Sequence, residues 1–221
     1  MTPAPRFFTI QHQHSMPKAQ ITAKRSTTAK TGANGSAAST RMAASGKEHK
    51  TLNDLLQDGL KDILSAEKQL VEALPEMAQV ADNEELQDAF RKHLEQTKRH
   101  VERLQKVMTR LNITPGEEEK CEAMEGLIQE GKEIIERYEA SPVRDSALII
   151  AAQKVEHYEI ASYGSLCELC DVLGYSNLHD ILGRTLDEEE ETDKDLSALA
   201  QDINDEAHEL SMHEEARFED R

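Results

Sequence analysis

Six acidic or imidazole side chains of this 221-residue chain stand where helical geometry calls for apolar ones: Glu67, His100, Glu156, Glu159, Glu189 and Asp193. At about 100° per residue, Glu67 lies inside an apolar stripe, four residues after Ile63 and three before Leu70. Glu159 repeats the pattern, four after Val155 and three before Ser162, with Glu156 at the edge of the same stripe. Glu189 and Asp193 occupy the seam between Leu186 and Leu196. His93 and His100 fall about 40–60° from the centre of their own stripe, still on its buried side. The acids around the seam, Asp187, Glu188, Glu190 and Glu191, are expected to face water.

The heights of these insertions agree. Reflection about a turn near residues 83–84 sets Glu67 level with His100, and reflection about a turn near 175–176 sets Glu159 level with residue 192. His93 is two turns, about 10 Å, from His100 along the axis, so it is expected to be a supporting or plain core histidine. Several carboxylates and an imidazole in one low-dielectric cross-section cost several kcal/mol per unpaired ion. Lys and Arg are nearly absent from the stripes, which leaves protons or cations as the neutralising species. Glu and His projecting inward from four helices form the ligand set of di-iron and di-manganese carboxylate sites. The expectation is therefore two metal ions, iron or manganese, held by Glu67, His100, Glu156, Glu159, Glu189 and Asp193. Fe(II) there would meet oxygen or peroxide. The alternatives are helices rotated enough to carry these groups to water, or carboxyls that stay protonated.

The elements that must position these residues follow from apolar periodicity. Helices are expected over 52–81, 86–111, 118–138, 142–173 and 178–207, with Pro75 a local irregularity and the segment beyond 207 fraying. Ser141 before Pro142 is a helix start, Gly174 a helix stop, and Asn177 the cap of the last helix. Two long hairpins joined by about 30 residues predict an all-α fold, a ferritin-like antiparallel four-helix bundle with one long crossover containing a short helix. The expected division is an arm over 1–47, the bundle over 48–210 and a polar tail over 211–221.

Composition agrees: apolar residues make up 38%, charged residues 31%, and Trp is absent, a balance that disfavours a β-sandwich or barrel. Residues 1–47 hold seven basic side chains and no acid, so they carry +7 while the remainder, with 19 basic and 43 acidic residues, carries −24. Such a body repels nucleic acid and anionic membranes, and only the arm, read as disordered in preference to a transit peptide, is left to contact DNA. The sequence has no transmembrane or secretory signal, and its three cysteines, including the Cys167–Cys170 C-x-x-C, suit a reducing cytoplasm better than a disulfide framework. Inside a helical pattern, that C-x-x-C reads as two small core residues.

The stretches SAEKQL (65–70), HLEQTKRHVERL (93–104), KCEAMEGLIQE (120–130), QKVEHYEIASYG (153–164) and TLDEEEETD (185–193) together resemble the YciF/YciE-type ferritin-like family over residues 51–205. The resemblance implies a dimeric ferritin-like bundle linked with bacterial stress responses, and it supports Glu67, Glu156, Glu159 and Glu189 as the acidic set. Two features depart from the ferritin pattern. Thr97, not Glu, precedes His100 by three, and Gln96 stands where family members often carry Glu. Three functions remain in contention: a di-metal site handling oxygen or peroxide, a non-catalytic dimeric scaffold whose polar layer fixes helix register, and a basic arm that tethers the acidic body to DNA or to an anionic surface.

Overall fold

A computed structural model describes residues 50–114 and 120–219, with side chains to residue 212. The expected arm lies outside the described residues, as do positions 115–119 of the crossover. Five helices form: α1 (Leu52–Val80), α2 (Glu84–Arg110), α3 (Glu122–Arg137), α4 (Pro142–Leu173) and α5 (Ser176–Glu219). Among the described residues there is no strand.

Local chemistry sets the ends. Thr51 and Asp54 close a reciprocal capping box on α1, and the Asn83 side chain accepts the amides of Glu85 and Leu86 to start α2. Ser141 caps α4 with Pro142 at its first position, and Gly174 ends it in the left-handed region at φ 79°, where a side chain is disfavoured. α1 continues through Pro75. α5 runs to Glu219 rather than fraying near 207, because residues 208–219 contain good helix formers and neither Gly nor Pro.

α1 packs on α2 and α4, and α5 on α2 and α4, with α3 lying over α1 and α4. Cross-contacts fix the directions. Asp145 in the first turn of α4 accepts the amides of Asp82 and Asn83 at the end of α1, at 2.7 to 3.1 Å, while Gly59 near the start of α1 meets Leu166 near the end of α4. Lys92 pairs with Asp195, and Arg103 with Glu188, so α5 runs antiparallel to α2. Adjacent pairs among the four long helices are antiparallel, and α3 sits within the crossover, as expected from the sequence. Apolar layers (Leu56, Leu60, Ile63 and Leu166 towards one end; Leu74, Phe90, Leu148 and Ile149 towards the other) enclose the polar residues between them. No helix among the described residues is long and apolar enough to cross a membrane.

Candidate metal centre

Each bundle helix contributes buried polar groups to one region: Glu67 from α1, His93 and His100 from α2, Glu156 and Glu159 from α4, Glu189 from α5. Residues three apart on α4, and seven apart on α2, share a helix face, which brings both members of each pair inward. Two groups form. His93, Glu156, Glu159 and Glu189 bring their ligand atoms within 4.8 Å of one another, and so do Glu67, His100 and Glu189. Glu189 belongs to both: its Oε1 is 3.0 Å from His100 Nδ1 and its Oε2 is 3.8 Å from His93 Nε2. One carboxylate thus spans the two positions. On the far side, His93 Nδ1 lies 3.2 Å from Glu156 Oε1.

These groups are not satisfied by the protein. Both carboxylate oxygens of Glu156, Glu159 and Glu189, together with Glu67 Oε2, His93 Nε2 and His100 Nδ1, are buried without a hydrogen-bond partner. The 3.0 Å approach of His100 Nδ1 to Glu189 is an electrostatic contact outside hydrogen-bond geometry. Burial drives the Glu67 carboxyl up to about 7 against the attraction of His100. Burial, reinforced by the Glu189 charge, pushes Glu156 and Glu159 well above the ordinary 4.5. For His100, burial disfavours the charged ring, yet the facing Glu189 and Glu67 carboxylates raise it to about 10. His93 is pushed down, chiefly by burial, so its ring is the more readily neutral donor. Without metal, then, the layer retains protons that its ligand groups would have to give up.

Around the ligands stands a supporting shell. Glu188 Oε2 accepts His100 Nε2 at 2.8 Å, and Arg103 binds the same carboxylate through both terminal nitrogens at 2.9 and 2.7 Å. Burial alone would raise Glu188, but the bonds from Arg103 and His100 bring it down to about 2. A carboxylate that takes one imidazole N–H turns the other nitrogen towards the ion position and raises its basicity. Tyr163, fully buried, donates its hydroxyl to Glu67 Oε1, and its ring meets His100 edge-on at 6.5 Å.

Of the six expected ligands, the structure brings together Glu67, His100, Glu156, Glu159 and Glu189. Asp193 stands apart: its Oδ1 accepts the Gln153 amide at 3.1 Å at the α4/α5 edge, and the shorter aspartate side chain does not join either group. His93 is drawn in, contrary to its expected supporting role. The axial rise between two Cα atoms excludes a shared ion, but it does not exclude two ions joined by Glu189. Glu188, expected in water, reaches His100 instead. Cys167 and Cys170 are free and packed in the hydrophobic core.

The family described as Domain of unknown function (DUF892) matches residues 51–209. The chain belongs to this family. It is similar to protein YciF of Escherichia coli K12, 49% identical over 151 residues that cover 68% of this chain and 91% of YciF. The crystal structure of that E. coli stress protein aligns at a TM-score of 0.68 and 47% identity, covering 71% of this chain and 99% of YciF. YcfI from Rhodopseudomonas palustris aligns at 0.66 with 38% identity, over 68% of this chain and 96% of the other. A dodecameric thioferritin from Bacteroides fragilis shares the fold at 20% identity, with a TM-score of 0.53 over 74% of this chain and 91% of its own. The bundle is therefore ferritin-like.

Proposed function

We propose that Glu67, His93, His100, Glu156, Glu159 and Glu189 hold two divalent iron or manganese ions, and that the chain is a stress-response protein of the cytoplasm working as a homodimer. The observation that carries the reading is the convergence of buried, partnerless ligand atoms from four helices. A scaffold whose polar layer served only to fix register would be expected to satisfy those atoms internally. Four carboxylates balance two divalent cations, and four glutamates with two histidines match the inventory of di-iron carboxylate bundles. The distribution differs: both histidines come from α2 and an E-x-x-E pair from α4, in place of two E-x-x-H motifs.

Two iron ions held together supply a pair of electrons to oxygen or peroxide. The chain's own residues set the conditions. Glu189 spans both positions, Tyr163 orients Glu67, and Glu188 with Arg103 fixes the His100 ring and takes its Nε2 proton as a hydrogen bond. The apolar layers on either side keep bulk water out. Elemental analysis of protein purified without chelator tests this: about two ions per chain are expected, and E159Q should hold fewer than one. Metal-free wild type that takes up none from Fe(II) or Mn(II) solutions leaves the scaffold reading standing.

A further inference from the structure

A groove of about 550 Å³ runs between α2 and α5 on the outside of the bundle. Its walls carry Glu85, Asp88, Asp195 and Asp202; Asp195 holds Lys92 at 2.7 Å and Asp88 pairs with Arg91 at 2.6 Å, so the acids still outnumber the cations beside them. At its inner end lie His93, only 4% exposed, and Gln96, only 7% exposed. The carbonyl oxygen of Gln96 is buried with no hydrogen-bond partner, and so is Nε2 of His93. A second acidic groove, between α1 and α3, provides a contrast. It is lined by Glu72, Glu76 and Glu125, but also by Lys120 and Lys132, and none of its lining side chains carries a buried atom lacking a partner.

The geometry points to the α2/α5 groove as the path by which divalent cations enter, with Gln96 Oε1 as the inner relay that passes them to His93. This rests on the two-ion reading of the centre. Like-signed walls raise the local concentration of counter-ions and accelerate their arrival. Gln96 follows His93 by three residues and precedes His100 by four, so it lies on the same face of α2 as both imidazoles. An amide oxygen is a hard, neutral donor. It suits a divalent cation without any proton having to leave, and without the full charge that would retain the ion there. It also accounts for a polar atom left unsatisfied in a place where it would otherwise only destabilise the fold.

Stopped-flow loading of the chelator-stripped full chain with Co(II), read by visible absorption, tests the path, with the final cobalt content measured by equilibrium dialysis. The triple variant E85Q/D88N/D202N should load about tenfold more slowly at low ionic strength and reach the wild-type content. Q96M, similar in size, should also load more slowly to the same content. The control E72Q/E76Q/E125Q should load within about twofold of wild type, since it removes the same charge from a face with no relay. Wild-type rates in the groove triple, or equal slowing in the control, overturn the entry path while leaving the centre intact. A lower final content in Q96M overturns the relay by making Gln96 a resident ligand. Wild type that takes up no cobalt overturns path and centre together.

Discussion

Replacing Glu159 by Gln should stabilise the metal-free protein and remove its metal binding. Glu159 is fully buried, both of its oxygens lack partners, and burial with the nearby Glu189 charge raises its carboxyl well above 4.5. Above pH 4.5 the folded state therefore holds more proton at this carboxyl than the unfolded chain does. A folded-state value raised above the unfolded one gives stability that is complete below pH 4.5 and declines as pH rises towards the folded value. Whatever the folded value, the loss accumulated between pH 4.5 and 7 is capped at about 3 kcal/mol. Gln is neutral throughout and nearly the same size, so the variant escapes this loss. For a chain of this length that ceiling corresponds to a melting-temperature gain of at most about 6–12 °C. Far-ultraviolet circular dichroism melts in chelator, from pH 4.5 to 8, provide the assay. The two proteins should melt together at pH 4.5 and separate progressively above it, with E159Q the higher; adding Mn(II) should then raise the wild type alone. Superimposed curves across that range, or a less stable variant at pH 7, would refute the argument that unneutralised carboxyls dominate the energetics of this layer.

Glu188→Ala should weaken metal affinity by about 10–100-fold in equilibrium dialysis, because His100 loses the carboxylate that fixes its ring. Metal affinity should rise with pH across the neutral and mildly alkaline range. Cations must displace the protons held by Glu67 up to about 7 and by His100 up to about 10, and loading in weak buffer should acidify the solution. Asp145→Ala should destabilise the fold by about 2–4 kcal/mol in urea unfolding. It leaves the amides of Asp82 and Asn83 at the α1/α2 turn without their buried acceptor.

The sequence made the helices legible because each carries its apolar stripe and most carry a recognisable cap, and it exposed Glu67, Glu159 and Glu189 because a carboxylate inside such a stripe has no ordinary reason to be there. What it obscured depends on side-chain reach. His93 and His100 are two turns apart along one axis, and it is the extended carboxylate of Glu189, arriving from α5, that reaches towards both rings. Asp193 has the right angular position but too short a side chain, and Gln153 claims it. Glu188 lies on the solvent side of α5 by angle, yet Arg103 and His100 draw it across to α2. A signal for it was present in Arg103, a cation three residues after His100 on a face otherwise lined by Leu104 and Val107. The α5 extension was missed because polar residues at 208–219 read equally well as a fraying tail or as an exposed helix.

How this core would fold without the proposed ions follows from the same groups. In the metal-free state, burial biases Glu156 and Glu159 towards their protonated forms, Glu67 is held up to about 7, and the His100 imidazolium faces Glu189 and Glu188. The layer is therefore far less charged than its four carboxylates suggest. Two divalent cations bring four positive charges and need four carboxylates and two neutral imidazoles, so protons must leave as ions arrive. Exchange of protons for metal would keep the buried layer near neutrality in both states and spare the bundle the desolvation of uncompensated charge. The difference between the states then falls on hydrogen bonding. Without cations, oxygens of Glu156, Glu159 and Glu189 are buried without partners, while cations would engage them. On this argument metal should stabilise the fold most at alkaline pH, where the protons are most easily surrendered, and least near pH 4.5, where they already do the cations' work.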